Sequence, residues 1–373
     1  MAESAAKRLK PTVTIGTHSG HFHADEALAV HMLRMLPAYR DAAIVRTRDA
    51  EVLATLHTVV DVGGEYDAAR NRFDHHQRGF ATTFPGRQTK LSSAGLVFLH
   101  FGRAIIAQRL NESAAEAKQV QEEGKQVQED DPAVALLHNK LYETFIEALD
   151  AHDNGIAAYD PAALAAAGIE KRFSQGGFGL GALVGRLNPR WNEPKPADPA
   201  AAQRAEDARF ELASRRIGEE FERDLDGLAL GWLPARAIVE RAFAERREHD
   251  AAGRLLVLRG QSVPWKDHLF SLEGEAEGEA ARAGAGTDAS KVLYVLYAES
   301  EREGAKWRIQ CVPESGDSFT SRRPLPEAWR GFRDAELDKI AGVDGCVFVH
   351  AAGFIGGNKT FEGAIEMARK ALE

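Results

Sequence analysis

The first 153 residues of this chain alternate short apolar runs with segments in which histidine and carboxylate stand side by side, and this alternation restricts the fold more than any other feature. Thr12 to Thr17 reads as a buried strand, followed directly by His18-Ser19-Gly20-His21-Phe22-His23-Ala24-Asp25-Glu26. Ala24 to Leu36 reads as a helix with Leu28, Met32 and Met35 on one face. Ala42 to Arg46 and Thr58 to Val62 are further strand candidates, and Val52 to Leu56 between them supplies a crossover helix. Strands joined through helices pair in parallel, since a tight turn can only reverse the chain. The expected class is α/β with a doubly wound, mostly parallel sheet, whose ligands bind beyond the carboxyl ends of the strands. The polar segments fall at those ends.

Beyond this core the pattern is looser. Residues 63 to 90 lack periodicity and read as a long functional loop. Ser92 or Ser93 caps a helix to about Leu110, and Val134, Leu137, Leu141, Phe145 and Ala148 have the spacing of a core-facing helix. The repeat Lys118-Gln119-Val120-Gln121-Glu122 and Lys125-Gln126-Val127-Gln128-Glu129 offers half a coiled-coil seam, so it reads as a polar insertion. Pro189, Pro194, Pro196 and Pro199 interrupt regular structure and mark the expected boundary between domains 1–195 and 196–373. The second, smaller domain reads as α+β. It opens on a helix bearing Phe210, Ile217, Phe221 and Leu225, followed by strands Leu255 to Leu258, Val292 to Tyr297, Trp307 to Val312 and Cys346 to Val349, and a helix from about Thr360. Glu273 to Ser290, rich in Gly, Glu and Ala, reads as a disordered loop insertion.

A net charge of −9 excludes a polycationic surface that condenses on nucleic acid, so any polyanion is gripped locally and with the help of metal ions. Cys311 and Cys346, the only cysteines, allow at most one disulfide and no cysteine-only zinc site. No run approaches the ~18 to 20 apolar residues that span a bilayer, and no secretory signal opens the chain. The expectation is a soluble, intracellular protein without a membrane partner. Lys7, Arg8 and Lys10 form a short basic cluster, either an import signal or a solvated start.

Imidazole and carboxylate together suit Mn²⁺, Fe²⁺, Co²⁺ or Zn²⁺; the alternative for the His18 to Glu26 segment is a polar loop whose histidines cap the helix or face water. Val59-Val60-Asp61-Val62-Gly63-Gly64 ends a strand on a carboxylate. Asp74-His75-His76-Gln77-Arg78 is costly to bury without a cation or phosphate. Asp150-Ala151-His152-Asp153-Asn154-Gly155 is either a further piece of the site or an ordinary helix end with local hydrogen bonds. Gly356-Gly357-Asn358-Lys359 precedes a helix and offers backbone N–H groups and an ammonium to a phosphate, unless it is a plain tight turn. Gly176 to Gly181 is not a dinucleotide fingerprint, because it follows no clear strand. By count alone His21-x-His23-x-Asp25 also fits metallo-β-lactamase hydrolases or amidohydrolase barrels. The first would want a histidine in place of Glu26, and the second eight βα units that the strand-rich second half lacks.

Taken in order, these segments resemble the DHH superfamily of metal-dependent phosphoesterases. More specifically, Thr17-His18-x-Gly20-x-Phe22-His23-x-Asp25-Glu26, Val60 to Asp67 and Asp74 to Arg78 resemble the melanocyte proliferating gene family. The likeness continues through Lys90 to Gly95, Arg186-Leu187-Asn188-Pro189-x-Trp191-Asn192 and Gly353 to Thr360. The resemblance implies a DHH-type domain holding two divalent ions, usually Mn²⁺, and a second domain that closes over the substrate. It implies a 3′ to 5′ RNA exonuclease, using a two-metal activated water on single-stranded RNA or a short oligonucleotide in nucleus and mitochondrion, with the cytoplasm also open. By motif matching, His18, His23, Asp25, Asp61, His75 and Asp150 are the implied metal ligands, with Asp61 the bridge. His76, Asp74 and Arg78 serve catalysis at the phosphate, and Arg186, Asn188, Gly356, Gly357, Asn358 and Lys359 bind substrate. His23 stands where better-known superfamily members have aspartate, and His21 and His152 fall outside the pattern. Alternatives are a pyrophosphatase or small-nucleotide phosphodiesterase of the same superfamily, and a noncatalytic binding protein that keeps its metals. Oligomeric state is not legible in the sequence.

Overall fold

A computed structural model describes residues 13–117, 126–174, 176–282 and 291–373. Lys7, Arg8 and Lys10, most of the Lys118 to Glu129 repeat, and residues 283–290 lie outside the described residues. The chain divides into two compact units, Met1–Leu230 and Gly231–Glu373.

In the first unit β1 (Thr14–Thr17), α1 (Ala24–Met35), β2 (Ala43–Arg46), α2 (Ala50–Thr55) and β3 (Thr58–Val60) follow the expected alternation. The expected loop over residues 63 to 90 contains two further strands, β4 (Tyr66–Asp67) and β5 (Arg72–Phe73). Two-residue strands have no periodicity to read, and only pairing defines them. The sheet order is β2-β1-β3-β5-β4, parallel throughout except for β4 against β5. Strand β1 connects outward to β2 on one side, and the chain then crosses back to β3 on the other. The ends of β1 and β3 therefore adjoin at the switch point of the sheet, where a crevice must open.

Helices α3 (Ser93–Ala117), α4 (Pro132–Leu141), α5 (Glu147–Asp153), α6 (Pro161–Ala166), α7 (Leu180–Gly185) and α8 (Pro199–Asp226) complete the unit. Helix α8, expected to open the second domain, packs instead on α1. Phe210 meets Phe22 edge-on at 5.9 Å and the Ser214 hydroxyl donates to the Ala27 carbonyl at 2.7 Å. Phe221, on the same face, meets Phe98 and Phe145. The apolar spacing of α8 correctly indicates a buried face but cannot say which core receives it. Packed against both α8 and α3, α1 is buried nearly all round, while Met35, expected on its core face, is only half-buried.

Between α4 and α5 one turn, Tyr142–Ile146, is a π-helix. The wider turn shifts the face that follows it: Phe145 is buried as expected, but Ala148 is exposed, and Leu149 and Asp150 point inward instead.

The second unit holds α9 (Leu233–His249), β6 (Leu255–Gln261), α10 (Lys266–Arg282), β7 (Tyr294–Ala298), β8 (Trp307–Cys311), α11 (Asp334–Ala341), β9 (Cys346–Val349), β10 (Ile355–Asn358) and α12 (Phe361–Lys370). Its sheet order is β6-β7-β8-β10-β9, parallel only between β6 and β7. Two corrections follow. Gly356-Gly357-Asn358 is not a loop but strand β10, paired with β8 on one side and β9 on the other, so its amides serve the ladder instead of forming a cradle. A Cβ at Gly357 would fall 2.6 Å from Arg308 Nη1 and 2.7 Å from the Trp307 carbonyl, so close packing explains the glycine. Glu273, expected in a disordered insertion, lies inside α10, which runs to Arg282. Its carboxylate accepts from Arg322 at 2.7 and 2.8 Å and from the Val292 amide at 2.9 Å.

Both partners of the Glu273–Arg322 pair are buried. Removing one leaves a desolvated charge alone, which costs about 3 kcal/mol or more. Glu273→Ala should therefore lower the stability of the protein in urea by about that amount, with Glu273→Gln falling in between. An unfolding midpoint equal to wild type would refute the pair's structural role.

Candidate metal centre

Three polar segments meet at the carboxyl edge of the first sheet. The segment after β1 brings His18 and His23, with Asp25 and Glu26 on the first turn of α1; β3 ends in Asp61; β5 is followed by Asp74, His75 and His76. Asp61 has a left-handed backbone, φ 57°, which a non-glycine residue adopts at a cost and which recurs at functional sites. Its two carboxylate oxygens face different partners. Oδ2 lies 3.5 Å from His18 Nε2, and Oδ1 lies 3.5 Å from His75 Nε2.

The donor atoms form overlapping groups. His18, His23, Glu26 and Asp61 make one, Asp61, His75 and His76 a second, and Asp25, His75 and Asp153 a third; within each, all ligand atoms lie within 4.8 Å of one another. Glu26 Oε1 stands 3.1 Å from His18 Nε2, and His75 Nε2 stands 3.0 Å from Asp153 Oδ2 and 3.8 Å from Asp25 Oδ2. The second oxygen of Glu26 and both ring nitrogens of His75 are buried with no hydrogen bond of acceptable geometry. Buried polar atoms that converge without bonding one another are what a cation site leaves when only the protein is present. The mixed nitrogen and oxygen donors fit divalent first-row metals.

Asp150, an implied ligand, falls in none of these groups. It accepts from the Ser92 amide at 2.9 Å and from Tyr142 at 2.9 Å, and Ser92 Oγ lies 2.7 Å away. The carboxylate that reaches the cluster is Asp153, one turn further along α5. Ser92 Oγ also lies 2.5 Å from Asp25 Oδ1, and one hydroxyl proton cannot serve both acids. Burial pushes the Asp150 carboxyl up to about 7 against the pull of the Ser92 and Tyr142 hydrogen bonds, so this acid holds a proton more readily than an ordinary one. Asp25 takes the Ser93 and Ala94 amides at 2.9 and 2.6 Å, and Ser92 Oγ accepts from the Gly95 amide at 3.4 Å, so the start of α3 is capped both by its own Ser92 and by a carboxylate from α1.

Charge is unevenly distributed over the centre. Burial pulls the His18 imidazole down, but its hydrogen bonds to the Asp61 and Glu26 carboxylates outweigh this and raise it to about 10. Burial likewise opposes the rise at His75, which Asp153 and Asp61 carry to about 10. Burial pushes Asp61 up, yet His18 and His75 hold it well below the usual carboxylate range. Asp25, buried beside the charges of Asp61 and Asp153, is raised well above that range.

A second layer fixes these groups. Asp74 accepts from His76 Nδ1 at 2.7 Å and from the Gly64 amide at 2.6 Å. It thereby favours the His76 tautomer with the proton on Nδ1 and leaves Nε2 free on an exposed ring. Buried Asn188 grips Phe22 through both its amide, 3.0 Å, and its carbonyl, 2.8 Å, so this implied substrate binder holds the His21 to His23 turn. Arg46 donates to the Gly20 carbonyl and to Glu206 of α8, which itself accepts from the Gly20 amide.

A cavity of about 660 Å³ opens over the cluster. Its wall includes His21, His76 and His152, the guanidinium of Arg48, and Gly181 and Gly185 of α7. Sequence reasoning left His21 and His152 without a role and missed Arg48, Glu26 and Asp153. A Cβ at Gly181 would sit 2.5 Å from His152 Nε2, so that glycine admits the ring. Arg78 and Arg186 are exposed and do not line this cavity. In the second unit, Asn358 is fully buried and caps the turn into α12 through the Thr360 amide, while Lys359 is exposed. Among the described residues no helix is long and apolar enough to cross a membrane.

A family model described as "Uncharacterised protein family (UPF0160)", labelled for the MYG1 exonuclease, matches residues 14–372. The MYG1 exonuclease of Homo sapiens is 46% identical over 375 residues, 99% of this chain and 88% of that protein. The MYG1 exonuclease of Mus musculus is 46% identical over 364 residues, 96% of this chain and 84% of its own. The MYG1 protein of Saccharomyces cerevisiae is 41% identical over 364 residues, 97% and 96% of the two chains. No solved structure matches the chain.

Raised imidazoles are held protonated by the fold. Their contribution to stability is complete below the ordinary histidine value near 6.5 and is lost as the pH rises through about 10. A divalent cation entering at pH 7 to 9 must displace those protons. Titrating metal-free protein with Mn²⁺ in two buffers of different ionisation enthalpy should show proton release, and affinity should climb with pH. Release of none would overturn the assignment of His18 and His75 as ligands.

Proposed function

This chain belongs to the MYG1 family, and from that premise we propose that its first unit is a divalent-metal-dependent phosphodiesterase, a 3′ to 5′ exonuclease on single-stranded RNA or short oligonucleotides working in nucleus and mitochondrion. The name of the mammalian relatives, MYG1 exonuclease, supports an exonuclease. The observation that carries the reading is the sharing of Asp61 between two donor groups, one oxygen toward His18 and the other toward His75. His18, His23, Glu26 and Asp61 would hold one ion, and Asp25, Asp61, His75 and Asp153 the other, with Mn²⁺ the ion of choice. Such ions, when bound, acidify water and neutralise phosphate oxygens.

The protein's own groups do the rest. His76, exposed and held through Nδ1 by Asp74, can present Nε2–H to a phosphate oxygen when protonated, and donate that proton as the leaving oxygen departs. Arg48 adds a fixed positive charge to a cavity whose other charged and titratable lining groups are carboxylates and imidazoles. Asn188 and Arg46 keep the His18 to His23 segment in register, so that the donors stand in place before any substrate arrives.

Asp61→Asn should lower the metal content measured by mass spectrometry and cut hydrolysis of a 5′-labelled RNA by at least about a thousandfold, with the fold retained by circular dichroism. Full activity at saturating Mn²⁺ would remove the bridge. The wild-type digest should shorten the labelled strand stepwise from its 3′ end. Cleavage of pyrophosphate alone, with RNA untouched, would instead favour the small-substrate alternative. His76→Ala should retain its metal and lower kcat by roughly a hundredfold or more, whereas loss of metal would make it a ligand.

A further inference from the structure

We propose that the surface formed by residues 156–174 and 176–195 is a landing site for single-stranded polynucleotide, where bases stack on exposed aromatic rings and phosphates meet interleaved cations. This rests on the phosphodiesterase reading and adds which part of the protein receives the strand. Tyr159 and Phe173 are 73% and 72% exposed, and Phe178 and Trp191 are 96% and 95% exposed. Large rings left almost wholly in water are a cost that folding alone does not explain, and groups of them mark contact surfaces. In the sequence these rings alternate with cations. Lys171 and Arg172 precede Phe173, Arg190 precedes Trp191, Arg186 lies between, and all are exposed.

The segment is anchored to the metal centre at two points. Gly181 and Gly185 line the cavity, and Asn188 holds Phe22 in the segment that carries His18 and His23. Phe178 is three residues before Gly181 and Trp191 three residues after Asn188, so each Cα lies within about 11 Å of its anchor. The Arg186 guanidinium ties the two flanks by donating to the Gly177 carbonyl at 2.7 Å.

Charge selects the partner. Residues 156–195 carry five basic and three acidic side chains in a chain of net charge −9, so this stretch is a local positive island. A protein partner would need the rings gathered into a contiguous apolar core. Single-stranded nucleic acid needs what this stretch supplies: exposed π faces, each able to take any base, and exposed cations interleaved with them along the chain for the backbone. A duplex keeps its bases stacked and offers the rings nothing.

The test uses the full chain without added metal, so that nothing is cleaved. Binding of fluorescein-labelled single-stranded RNA and DNA dodecamers is followed by anisotropy, with a duplex of the same length as control. Phe178→Ala and Trp191→Ala should each weaken single-strand binding by about tenfold. Lys171→Ala with Arg172→Ala should lower the slope of log affinity against log salt by about 1.4, and duplex binding should be weaker throughout. Binding by the ring variants equal to wild type would overturn the proposal. So would association of the wild-type chain with itself, seen by light scattering and lost in the same variants, because the rings would then serve a protein interface. Hydrolysis of bis(4-nitrophenyl) phosphate by the wild type with Mn²⁺ separates the two levels: hydrolysis together with unaltered ring variants sinks the landing surface alone, whereas ring-dependent binding without hydrolysis by any divalent ion sinks the catalytic reading alone.

Discussion

The sharing of Asp61 between His18 and His75 is the interaction on which the first unit turns. A carboxylate at the end of a buried strand, close to the acids Asp25, Glu26 and Asp153, is repelled by every one of them in a medium that screens poorly. The protein alone balances this charge by protonating His18 and His75, each raised to about 10. The backbone adds its own contribution, since the left-handed conformation of Asp61 aims the carboxylate out of the strand and between the two imidazoles. Such an arrangement is expensive for a structural ion-pair network, which an apolar core would replace at little loss. It is economical for a site whose positive charge is to be exchanged.

Holding that arrangement takes residues from the whole length of the first unit. Ser92 joins Asp25 to Asp150, Tyr142 closes the far side of Asp150, and Asn188 and Glu206 steady the segment after β1. The π turn at Tyr142–Ile146 belongs to this design. It turns Asp150 inward to Ser92 and Tyr142, and brings Asp153, a turn later, to His75. Helix α8 contributes through Glu206 and Phe210, which trap the Arg46 guanidinium between a carboxylate and two rings.

What was legible in the sequence was the part governed by local pattern. The strands and helices from Thr14 to Val60 follow from apolar runs and their spacing, and His18, His23, Asp25, Asp61 and His75 were visible because polar residues at strand ends need a reason. Where longer-range packing decides, the sequence was silent or misleading. Strands β4 and β5 exist only through their partners. Asp150 and Asp153 are equally good ligands on paper, and only the π turn separates them. Asn188 and Gly357 look like substrate-binding residues because amide and glycine are ambiguous; one clamps Phe22 and the other makes room for Arg308. Glu273 sits in a composition typical of disorder, but a buried arginine 49 positions away makes its stretch a helix.

The protonated histidines also explain how an acidic chain can build an acid-lined pocket. With His18 and His75 charged, two positive charges stand among the carboxylates of Asp25, Glu26, Asp61 and Asp153 and offset part of their repulsion. On the function proposed above, exchanging two imidazolium protons for two divalent ions would add two positive charges on either side of Asp61, which already faces both His18 and His75. Affinity for a phosphate would then be tied to metal occupancy, and by reciprocity the phosphate would tighten the metal by the same factor. Arg48, which lines the cavity, lies outside this exchange and keeps its charge whatever the occupancy of the donor groups, and on the landing surface proposed above Arg172 and Arg190 would do the same for an arriving strand.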